Sequence, residues 1–163
     1  MAAGGTYIPI ATTTLSSSSA TVTFSSIPGT YTDLVLIGTG GSTTSSMDMG
    51  WQANGDTGAN YSSGRFYGTG SGIGVSASAN QSGGEAGAWA TNWGNWIINI
   101  FSYANTTTYK TSLSRTDNVG FATFTHGTTW ANTAAITSLT LMNFQSRSFA
   151  SGSVFTLYGI AAA

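Results

Sequence analysis

The segment Ile136–Ile160, ITSLTLMNFQSRSFASGSVFTLYGI, carries most of what specifies this fold. Side chains on a β-strand alternate between two faces. From Ile136 to Met142 that alternation places Leu139 and Leu141 on one side, with Ser138, Thr140 and Met142 on the other. From Ser153 to Ile160 it places Phe155 and Leu157 on one side, opposite Thr156, Tyr158 and Ile160. The intervening residues are mostly polar. The segment reads as two strands joined by a polar turn, a terminal hairpin whose Leu139, Leu141, Phe155 and Leu157 hold the fold. Gly159 has no side chain in the last strand, which marks a close backbone approach or a bulge.

The same grammar runs through the preceding chain. Strands are expected at Thr6–Leu15, Ala20–Ser25, Thr32–Gly38, Met47–Ala53, Trp96–Tyr103, Tyr109–Arg115 and Val119–His126. Pro9 marks an edge or strand-start position in the first. The continuous run Leu34-Val35-Leu36-Ile37 points to a strand buried on both faces. Ile27-Pro28-Gly29 and Asn54-Gly55-Asp56 are turn signals, and Gly127–Thr133 reads as a loop carrying Trp130. Helix-forming Leu, Glu and Lys are scarce. Short β-rich runs recur with Gly, Ser and Asn between them, the spacing of a sandwich. The expectation is an all-β, jelly-roll-like antiparallel β-sandwich of about nine or ten strands. It forms a single domain over 6–163, after a flexible N-terminus at 1–5.

Residues 55–95 are the least regular part. Tyr61, Phe66, Tyr67, Ile73 and Val75 fit short strands, while Gly68–Gly74 and Asn80–Gly87 read as exposed loops. Long irregular stretches of this kind usually carry function, so recognition is expected between residues 54 and 95.

Composition narrows the function classes. Charged residues make up 6% of the 163 and the formal net charge is −1, against roughly 25% charged residues in ordinary domains. A basic nucleic-acid footprint and a polybasic membrane patch are both missing. No run of about 18 apolar residues offers a transmembrane helix. The opening MAAGGTYIPI lacks the basic and long apolar regions of a signal peptide. With no cysteine, disulfides and thiolate metal sites are excluded. The surface is Ser-, Thr-, Asn- and Gly-rich, nearly neutral, and suited to dense packing in an assembly.

Candidate chemistry is sparse. His126, the single histidine, ends a strand among dozens of Ser and Thr. No nucleophile elbow accompanies it, and it reads as a strand-end or interface residue. Asp48 and Asp56 flank a turn and, with Asn54 and Asn60, could offer hard oxygen ligands. The twelve-residue calcium-loop spacing is absent, however, and Asp56-Thr57-Gly58 reads as turn chemistry. No metal, cofactor or catalytic residue is therefore assigned, and no enzyme activity is expected. Ala88–Trp96, AWATNWGNW, holds three tryptophans. Trp89 and Trp93 either stack on sugars or cover a sheet edge or subunit contact. Tyr7 and Trp130 join them as candidate interface or glycan residues.

Three segments carry a resemblance. TYIPIATTTLSSSSATVTFSSIPGTYTDLVL at the start, NIFSYANTTTYKT in the middle and TAAITSLTLMNF with SGSVFTLYGI at the end are similar to a module of tailed-bacteriophage structural proteins. The match brackets nearly the whole chain and is thinnest over the forty central residues. The resemblance implies a sandwich on the virion exterior, in a capsid decoration (cement) protein or a tail-fibre or spike head. It supplies no catalytic residues. The chain reads as a complete short module without a shaft, which favours decoration of the head. The implied partners are the major capsid protein or another virion protein, further copies of the chain as a dimer or trimer, and, in the fibre alternative, a surface glycan. Neither nucleic acid nor membrane is implied.

Overall fold

A computed structural model describes residues 5–118 and 122–161. The expected flexible 1–5 segment lies, apart from Gly5, outside the described residues, as do 119–121 at the start of the expected Val119–His126 strand. Among the described residues the chain forms twelve strands: β1 (Tyr7–Thr14), β2 (Val22–Phe24), β3 (Asp33–Gly40), β4 (Met47–Ala53), β5 (Tyr61–Thr69), β6 (Gly72–Gln81), β7 (Gly84–Trp89), β8 (Gly94–Phe101), β9 (Lys110–Asn118), β10 (Ala122–Trp130), β11 (Leu139–Asn143) and β12 (Val154–Ile160). They make two antiparallel sheets facing one core, the all-β sandwich expected from alternation and turn spacing. The large sheet runs β1-β12-β3-β8-β9-β10-β5-β6 and the small one β2-β11-β4-β7.

Alternation explains which side chains enter. β10 turns Ala122, Phe124, His126, Thr128 and Trp130 inward, and β12 turns Phe155 and Leu157 inward. From the small sheet come Val22, Phe24, Leu139, Leu141, Met47, Met49 and Trp51. These apolar side chains leave water together, which is the main stabilising term of the fold.

β11 and β12 do not form the expected hairpin. β11 lies between β2 and β4 in the small sheet, and β12 lies between β1 and β3 in the large one. The residues between them turn a corner from one sheet to the other. Phe149, fully buried, pins that corner by exchanging backbone bonds with Ser19 at 2.8 and 3.1 Å. The inward assignment of Leu139, Leu141, Phe155 and Leu157 holds, because both strands present their apolar face to the same core from opposite sides. Gly159 marks neither a close backbone approach nor a bulge: its pairing is regular, and the Tyr31 ring occupies the space a Cβ would need.

The 55–95 stretch is more regular than its composition suggests. It contains β5, β6 and β7, so the loops expected at Gly68–Gly74 and Asn80–Gly87 are mostly strand. β10 likewise continues through Trp130, where a loop was expected to begin at Gly127. Strand pairing with β5 and β9 along its whole length outweighs the turn preference of Gly127. β7 packs so close to β9 that a Cβ on Gly87 would strike the Thr116 side chain.

Candidate interaction surface

Two of the four expected contact residues are buried. Trp89 is 0% exposed, held among Trp96, Phe149 and Phe155 with ring centroids 5.8–6.1 Å away. It ends β7, a strand buried on both faces, so its ring had no route to solvent. Trp130 is also buried, stacked on Tyr61 at 6.3 Å. The other two remain accessible. Trp93 is half exposed and lies over Gly152 and Gly41 at one end of the sandwich. Tyr7 is exposed and packs edge-on against Tyr158 at 6.0 Å. They sit at opposite ends of the strands, since Tyr7 pairs with Ile160 beside Asp33 whereas Trp93 adjoins Gly94 beside Gly40. The length of β3 separates these ends by about 23 Å.

Asp48 and Asp56 do not converge either. Asp48 is the second residue of β4 and exchanges bonds with Gln145: its backbone N–H donates to Gln145 Oε1 at 2.6 Å, and its carboxylate accepts from the Gln145 amide. Asp56 lies beyond the other end of β4, about 16 Å along the strand. Two carboxylates that cleave a glycoside stand at most about 9.5 Å apart. Asn54 and Gly55, both at positive φ, close the turn there with a bond from Asp56 N–H to Ala53 O at 2.9 Å.

The Asp56 carboxylate is fully engaged. It accepts from Trp130 Nε1 at 2.7 Å, Asn60 Nδ2 at 2.9 Å and Gly58 N–H at 2.8 Å. The Trp130 indole bond, ahead of the others, holds its pKa below the ordinary carboxylate range, against a smaller opposing effect of burial. Asn54 is engaged too, accepting from Thr137 and Ser138 N–H and donating to Ala135 O. These oxygens tie β4, β10 and the approach to β11 together. Among the described residues no group of three His, Cys, Asp or Glu side chains is placed to hold a metal ion.

His126 is 2% exposed on the inner face of β10. Burial, and then the charge of Arg65, push its pKa down to about 4. Its cross-strand neighbours are Arg65 on β5 and Ser114 on β9. Ser112 and Ser114 are buried with it, so this part of the core is lined by small hydroxyls rather than by aliphatic side chains. Lys110, at the start of β9, is also buried. Its Nζ donates to Thr108 O at 2.8 Å and Thr133 O at 3.0 Å, joining two loops, and burial lowers its pKa.

Because β9 puts serines inward, it puts Thr111, Leu113, Arg115 and Asp117 outward. This opens the surface that sequence reasoning missed. On the outer face of the large sheet a cross-strand row runs Thr12, Thr156, Ile37, Ile97, Arg115, Thr125, Phe66, Val75, one residue from each of the eight strands. Leu113, Phe101 and Ile73 flank it, exposed. Gly127 and Gly64 sit opposite each other beside Leu113, and Gly68 beside Ile73, lowering the relief. Three shallow depressions follow. One of 560 Å³ lies among Phe66, Gly68, Ile73, Val75, Thr123 and Thr125. One of 320 Å³ lies around Leu113 and Asn99, and one of 180 Å³ between Ile37 and Asp117. Eight strands spaced as in any sheet span about 34 Å. The face is broad, low in charge and shallow, the shape of a surface that meets another flat surface.

In comparisons with known proteins the chain matches no family model, no curated sequence and no solved structure.

Proposed function

We propose that this chain is a non-enzymatic structural protein of a tailed-bacteriophage virion, decorating the capsid exterior and docking through the outer face of its large sheet. The partner is the major capsid protein or another virion protein. The observation that carries the reading is the alignment of all three depressions on one partly apolar face that is low in charge, with Arg115 and Asp117 of opposite sign along it. At about 34 Å by about 25 Å such a face offers on the order of 800 Å², the share of one partner in a standard interface. Resemblance of the two chain ends and the NIFSYANTTTYKT segment to phage exterior modules supplies the context. Engagement of Asp56 and burial of His126 in structural roles fit a protein that works by contact.

Docking of this kind stabilises a shell through area and shape, and with little net charge it depends weakly on salt. The test is to remove the protein from purified particles, add it back, and measure occupancy and particle melting. Wild-type protein should rebind in many copies and raise the melting temperature. Leu113→Glu and Ile37→Glu should each fold and yet fail to rebind. Protein found in only a few copies at the tail, or rebinding unaffected by both substitutions, would overturn the reading.

A second reading, a fibre or spike head that binds a surface glycan, draws on Trp93. One side of its ring is backed by Gly152 and Gly41 while about half of the residue stays in solvent. That is a stacking platform for a sugar ring. Binding on a glycan array that disappears in Trp93→Ala would favour this alternative, and an array with no response would remove it.

A further inference from the structure

The two sheets have four edges, and three are guarded. β1 carries Pro9, which has no N–H, and its pairing with β12 shifts register between Pro9 and Ala11. β2 is three residues long. β7 is buried along almost its whole length. Proline, irregularity, shortness and cover are the usual ways of blunting an edge. β6 has none of them over Gly72–Ser78. It is ten residues long, GIGVSASANQ, without proline or charge, and among the described residues β5 is its one neighbour in the sheet. Both of its faces are largely exposed, and Ile73 reaches 95%. From Gly72 to Ser78 it is paired in regular register with β5. Alternate N–H and C=O groups of that run therefore point away from the protein.

We propose that β6 pairs antiparallel with β6 of a second copy, joining two large sheets across a two-fold axis. A strand that pairs antiparallel with itself satisfies two-fold symmetry without further adjustment. Aligning Gly72–Ser78 with itself puts Val75 opposite Val75 and Ile73 opposite Ala77 on the outer face. On the inner face it puts Gly74 opposite Ser76 and Gly72 opposite Ser78. Large meets small, apolar meets apolar, and no like charges meet. Phe66, exposed and directly beside Val75, covers the junction from the neighbouring strand. A seven-residue run is about 23 Å long and buries roughly 400 Å² per copy, about half the share of a standard interface. The dimer is accordingly one that dissociates on dilution through the micromolar range.

The experiment uses the isolated protein and does not depend on where it acts. Sedimentation equilibrium from low to several hundred micromolar should show reversible monomer–dimer exchange. Amide exchange within Gly72–Ser78 should slow as concentration rises. Val75→Lys places two ammonium groups opposite each other and should weaken dimerisation by at least about tenfold. Val75→Glu should do the same. An equimolar mixture of the two variants should dimerise again, a rescue that damage to the fold would not produce. A monomer at every concentration overturns the proposal. So does a dimer indifferent to both substitutions, or failure of the mixture to recover.

Discussion

His126 lies directly opposite Arg65 in the pairing of β10 with β5, and the two side chains share the inner face of the sheet. A buried imidazole beside a guanidinium has two reasons to stay neutral. Its pKa falls to about 4 from an ordinary 6.5. Between those values the unfolded chain binds a proton that the folded chain refuses. Stability is therefore complete above the unfolded value and declines as pH falls through the window. The loss should be about 2 kcal/mol between pH 7 and pH 5, approaching about 3 kcal/mol near pH 4. Denaturant unfolding at several pH values measures it, and His126→Gln should flatten the slope between pH 7 and pH 5. An unchanged slope in that variant would assign the dependence to other groups.

Asp56 should behave as a structural anchor. Asp56→Ala leaves the Trp130 indole N–H and the Asn60 amide without their acceptor, and should cost about 1–3 kcal/mol. Trp130 fluorescence should shift with it. Asp48→Ala, which removes an exposed contact with Gln145, should cost less than about 1 kcal/mol. Calcium or a chelator should leave the melting temperature of the wild type unchanged. A calcium-dependent rise abolished by Asp56→Ala would refute this account.

The two neighbouring tryptophans should separate cleanly. Trp89→Ala empties the centre of an aromatic cluster and should cost about 3–5 kcal/mol. Trp93→Ala, at the surface, should cost less than about 1 kcal/mol. Comparable losses at both positions in thermal melts would contradict the placement of Trp93.

Leu157 tests the last strand. It is fully buried between the sheets, so Leu157→Ala should cost about 2–5 kcal/mol by denaturant titration. Val154 or Thr156, half-buried on the opposite face, should tolerate Ala at about 1 kcal/mol or less.

Alternation made the inward faces of β11 and β12 legible, yet it says nothing about which sheet a strand joins. Leu139 and Phe155 show the same pattern whether their strands form one hairpin or lie in opposite sheets, and here they lie in opposite sheets. The length of the connection, with Phe149 inside it, was the available clue. Trp89 was illegible because β7 is buried on both faces and so shows no alternation. β6 was illegible for the opposite reason: both its faces are largely exposed, so its sequence needs no apolar stripe. Alternation along Tyr109–Arg115 groups Leu113 with Thr111 and Arg115 on one face. That this face is the outer one follows from Ser112 and Ser114 being inside, a reversal of the usual polarity.

The pairing of β1 with β12 sets a clock. Among the described residues β1 has no other strand beside it, so Tyr7–Thr14 can join the sheet only after Val154–Ile160 exists. At ordinary translation speeds the first strand waits roughly 7 to 30 seconds for the last. β3, made early, waits as well for one of its two neighbours. The nascent chain therefore carries Tyr7–Thr14 unzipped until Val154–Ile160 has emerged from the ribosome to lock it.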